Sequence, residues 1–116
     1  MTPGVLFIIT SDPRTSPRPA EAVRIAAGVA AWRKVDVTVY LHGAAVLALS
    51  EVPDDLADGD NFRRYLPLLN ESGGMICAQR GAARLNDLSH SPVSFRETGD
   101  DELAELVAKN DYIVRF

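Results

Sequence analysis

The chain has 116 residues, enough for one packed core and too few for two, so residues 1–116 are expected to form a single domain. Twelve basic against sixteen acidic side chains give a net charge of −4, which argues against nucleic acid as a partner. A single cysteine, Cys77, excludes an internal disulfide framework and a cysteine-rich zinc site.

The opening Met1-Thr2-Pro3-Gly4 has no basic segment. The apolar run 5–9 falls short of the roughly 7–15 residues of a signal-peptide core and the about 20 of a membrane helix. A cytoplasmic protein with no membrane span is expected, and an unpaired cysteine fits a reducing compartment. The run 5–9 is apolar without alternation, which predicts a strand covered on both faces. Thr10-Ser11-Asp12-Pro13 is turn-like. Ser16 then serves as an N-cap with Pro17 at the first helical position. This helix carries two apolar stripes. Val23, Ala26, Ala27 and Ala30 form one, and Ile25, Val29 and Trp32 form another that needs a second partner.

Residues 35–41 predict a second strand with Val35, Val37, Val39 and Leu41 on one face. Residues 43–50 read as helical and 53–59 as an acidic loop. Asp60 caps a helix with Phe62, Tyr65, Leu66 and Leu69 inward. Pro67 predicts a kink in it or a later start, and Ser72-Gly73-Gly74 closes it. A third strand is expected at 74–77, a short helix at 78–85, a polar surface loop at 85–92 and a fourth strand at 92–95. The last helix, 100–109, turns Leu103, Leu106 and Val107 inward, with acids in its first turn and Lys109 in its last. Residues 111–116 make the last strand. This alternation predicts an α/β three-layer sandwich with flavodoxin-like layering around a mainly parallel sheet of about five strands.

Ligands of open α/β sheets bind outside the carboxyl ends of the strands. That selects Thr10, Ser11, Asp12, Pro13 and Arg14 after the first strand, His42 and Gly43 after the second, and Cys77 at the end of the third. A cysteine at a strand end just before a helix N-terminus is favoured as a thiolate, with Arg80 and Arg84 adding positive charge. A small buried hydrophobe is the commoner role of a free cysteine. His42 is either a proton shuttle or anion contact, or a strand-end residue satisfied by backbone. The loop 10–16 is either an anion cradle or a turn with a helix cap; it lacks the glycines of a phosphate-binding loop. His90 is expected to be solvated. No metal-ligand spacing occurs, the acidic run Asp54, Asp55, Asp58 and Asp60 is a solvated face, and no metal or cofactor is expected.

Three segments carry a family resemblance: the strand, hydroxyl-bearing loop and helix of 6–32; Val37-Thr38-Val39-Tyr40-Leu41-His42-Gly43-Ala44-Ala45-Val46; and Met75-Ile76-Cys77 with Arg84 seven positions on. They resemble the DsrE/DsrF-like family. The resemblance implies α/β subunits assembled as homo-oligomers, trimers or hexamers. It implies sulfur carried as a persulfide on Cys77, with Arg84 stabilising it or shaping the pocket. Leu85 stands where the family usually has glycine, and Arg80 where some members have a second cysteine. Any sulfur transfer is therefore a one-thiol relay, with sulfur donor and acceptor proteins as partners. The expected function is that of a sulfur carrier or sulfurtransferase-like protein with Cys77 as its catalytic residue. The alternative is a non-catalytic oligomeric module that binds a small anion or a partner protein, motivated by the stripe Ile25, Val29 and Trp32.

Overall fold

Branched and aromatic residues from Val5 onward build β1 (Gly4–Ile9), every residue of which is buried. The computed structural model describes residues 2–51, 53–88 and 91–116, with the backbone alone of residues 86 and 87. His90 lies outside the described residues. After β1 come α1 (Arg18–Trp32), β2 (Asp36–Leu41), a 3-10 segment (Gly43–Leu49), a shorter one (Pro53–Asp55) and α2 (Asp60–Glu71). β3 (Met75–Gln79), a further 3-10 segment (Ala83–Asp87), β4 (Arg96–Thr98), α3 (Asp100–Lys109) and β5 (Tyr112–Arg115) complete the chain.

The five strands form one sheet in the order β4-β3-β2-β1-β5, and every neighbouring pair is parallel. The two faces of the sheet are unequal. Phe7, Ile9, Val39, Leu41, Ile76 and Ala78 point to one side and pack with Val23, Ala26 and Ala30 of α1 and with Phe62, Leu66 and Leu69 of α2. Leu6, Ile8, Tyr40 and Cys77 point to the other and meet Leu106 of α3, with Leu103 beside it. The result is the expected three-layer α/β arrangement, thick on the α1/α2 side and one short helix deep on the other.

The structure moves several boundaries. The α1 helix starts at Arg18, not Pro17, and the Ser16 hydroxyl accepts from the Arg18 N–H at 3.2 Å. The second stripe of α1 is mostly covered from within: Ile25 and Val29 pack against the core, and only Trp32, 65% exposed, stands clear. The α2 helix runs through Pro67 without ending. Residues 43–50 coil as a 3-10 segment that begins at Gly43, whose φ of 59° suits a residue without Cβ. The short helix expected at 78–85 starts later and coils as 3-10 from Ala83, because β3 extends to Gln79 and the chain then turns at Gly81. The fourth strand is Arg96–Thr98 rather than 92–95. A strand pairing there must offer an N–H to β3, which Pro92 lacks; an edge strand also tolerates the polar Arg-Glu-Thr sequence. Among the described residues, no helix is long and apolar enough to cross a membrane.

Candidate functional site

Cys77 sits in the middle of β3, between Tyr40 of β2 and Arg96 of β4 in register. This corrects the expectation that it ends its strand ahead of a helix. Ala78 and Gln79 continue the ladder, so no helix N-terminus faces the thiol through the following chain. Period-two alternation instead turns its side chain to the α3 side, where it is 1% exposed.

A cleft of 120 Å³ opens there between the sheet and α3. Met75 and Cys77 of β3 line it together with Arg96 and Thr98 of β4. Glu102, Glu105, Leu106 and Lys109 of α3 close it. Its charges are two cations and two carboxylates. Glu102 is the organising one: its Oε1 accepts from Arg80 Nη2 at 3.0 Å, and its Oε2 lies 3.8 Å from Arg96 Nη2. Glu102 also accepts from the Gly99 N–H at 3.3 Å, tying the first turn of α3. That backbone bond, then the charges of Arg80 and Arg96, hold its carboxyl below the usual glutamate range. Arg96 also reaches the Met75 sulfur at 3.9 Å.

The remaining predicted residues lie along the carboxyl edge of the sheet and divide into separate groups. Ser11 is half-buried in the turn after β1. Asp12 spends its carboxylate on Arg14, at 2.7 Å to Nη2 and 2.9 Å to the backbone N–H. Those Arg14 bonds, with a smaller effect of Arg84, lower the Asp12 carboxyl. Arg84 is not among the residues that line the Cys77 cleft. His42 is exposed, with its ring 6.3 Å from that of Tyr40. The Gly43 N–H donates to Gln79 Oε1 at 2.8 Å, locking the β2 exit to β3. Arg80 reaches the cleft wall through Glu102. Among the described residues, no group of His, Cys, Asp and Glu is arranged to hold a metal ion.

Sequence reading missed Arg96, Glu102 and Lys109. One signal was available: Glu102, Glu105, Leu106 and Lys109 share the i, i+3, i+4, i+7 spacing of one helix face.

Comparison with known proteins decides the lineage. The DsrE/DsrF-like family model matches residues 4–116. The chain belongs to the DsrE/DsrF-like family. The crystal structure of the ychN protein from E. coli superposes with a TM-score of 0.81 over 100% of both chains, at 18% identity, which is a likeness of fold. No curated protein matches the chain in sequence.

Proposed function

We propose that this DsrE-like chain is a one-thiol sulfur carrier, with Cys77 as acceptor. The observation that supports it best is the position of Cys77 in a cleft on the α3 side, whose charged lining is Arg96 and Lys109 together with Glu102 and Glu105. The thiolate attacks the sulfane sulfur of a donor persulfide. A new S–S bond forms on Cys77, the donor's S–S bond breaks, and the donor leaves as a thiolate that takes a proton from solvent. The exchange is redox-neutral and needs no cofactor. The absence of a second cysteine means that release runs by the same chemistry, through an acceptor thiolate on a partner. Assembly as trimers or hexamers and work in the reducing cytoplasm belong to this reading, and sedimentation equilibrium decides the first. The stripe that motivated a non-catalytic module is partly covered, since Ile25 and Val29 pack against the core while Trp32 stays exposed, and a monomer in sedimentation would remove its main support.

The test is intact-mass spectrometry after exposure to polysulfide, with removal of excess donor. One sulfur atom added to the native chain and none to Cys77→Ser is the expected result. A native chain that gains no mass overturns the proposal.

A further inference from the structure

Among the described residues, one buried side-chain oxygen or nitrogen has no hydrogen-bond partner: the Tyr40 hydroxyl. Buried polar groups are nearly always paired, so a phenol left unsatisfied at 1% exposure calls for a role. Tyr40 is the register neighbour of Cys77 on β2, about 4.8 Å away across parallel strands. Both side chains point to the α3 side and share one small cluster with Leu6, Ile8 and Leu106. The other three members are aliphatic, so Tyr40 supplies the one hydroxyl in that cluster.

We propose that the Tyr40 O–H is the donor that holds an anionic sulfur on Cys77, so that it is a second residue of the carrier site. The inference rests on the carrier reading above and names what stabilises the loaded state. A persulfide anion placed against Leu6, Ile8 and Leu106 has lost water and needs a hydrogen bond in exchange. A persulfide also extends the Cys77 side chain by one S–S bond, about 2 Å, on the side of the sheet where Tyr40 lies and where Cys77 and Leu106 belong to both the cluster and the cleft lining. The phenol remains a donor there, because burial, then the Asp100 charge and Cys77, push its ionisation upward.

Tyr40→Phe removes the oxygen and little else, and it also removes an unsatisfied buried group. The variant is expected to unfold at the same or a higher temperature than the native chain. Its persulfide, loaded with polysulfide and followed by intact mass, is expected to decay about tenfold faster, the loss of one hydrogen bond to a charged group. A merely structural tyrosine would lower the unfolding temperature and leave the decay unchanged. Equal persulfide lifetimes in the two chains overturn this inference and leave the carrier reading standing. A native chain that never loads overturns both. If Tyr40→Phe does not fold, fluorotyrosine incorporation in a Tyr65→Phe, Tyr112→Phe background strengthens the same donor with almost no change of shape. A longer persulfide lifetime then supports the inference, and an unchanged one overturns it.

Discussion

Glu102 joins three parts of the molecule that are distant in sequence: the turn after β3, the edge strand β4 and the first turn of α3. Its pairs are partly exposed, where single ion pairs contribute little, so its signature is a pH dependence rather than a large energy. The folded-state carboxyl titrates below the ordinary value of 4.5. A carboxyl depressed on folding stabilises the protein above its unfolded value, and that stabilisation is lost as pH falls through the folded value. Glu102→Gln is therefore expected to lower the unfolding temperature at about pH 6 and to have little effect at about pH 3. Thermal unfolding at the two pH values checks this, and an equal deficit at both contradicts it. At Cys77 the same scale shows what local sequence hides. Residue type pointed to the sulfur, yet its setting follows from β3 continuing through Ala78 and Gln79, which composition alone does not announce.

Helices α1 and α2 pose opposite demands on glycine. Gly28 lies on the exposed side of α1, where an added Cβ would meet nothing within 4 Å. Gly28→Ala is expected to stabilise the fold by about 0.5–1 kcal/mol through helix propensity. Gly59 precedes α2, and a Cβ there would collide with the Pro53 carbonyl oxygen. Gly59→Ala is expected to cost about 1–3 kcal/mol. Urea unfolding of the two variants measures both signs, and a neutral Gly59→Ala contradicts the close approach. Legibility of the elements follows burial. The run that became β1 was readable because both its faces are covered, which demands unbroken apolarity. The α1, α2 and α3 helices were readable from spacing, although Val107, expected inward, is 42% exposed because α3 buries only a narrow stripe around Leu106. The edge strand β4 was not, because Arg96 and Glu97 are exposed and its pairing with β3 is a long-range event. The two stripes of α1 were legible, but the packing of α1 against α2 is placed by topology.

The whole molecule is asymmetric about its sheet, and Cys77 lies on the thin side. On the α1/α2 face two helices and the 3-10 segments cover the core; on the other face, among the described residues, α3 covers Leu6, Ile8, Tyr40 and Cys77. On the proposed carrier reading, a donor sulfur has to reach a thiol that is 1% exposed, and the cleft beside α3, which Cys77 lines, is the opening next to it. Leu106 stands at that point, touching the buried cluster and lining the cleft at once. Leu106→Ala is expected to cost about 2–3 kcal/mol, because truncating a buried leucine leaves a cavity that the neighbours fill only partly. It should also widen the passage between α3 and β3. Alkylation of Cys77 by a small neutral reagent, measured in water where the variant remains folded, is expected to accelerate several-fold more than the change in global stability explains. The comparison needs a control of equal cost on the thick face, and Leu66→Ala in α2 serves, since Leu66 packs only with the opposite cluster. Both variants raise the population of globally open chains alike, so that route cancels between them. Faster alkylation confined to Leu106→Ala places the path to the sulfur under α3. Equal rates in the two variants mean that Cys77 is reached only by global unfolding, and a carrier role for it then fails on access alone.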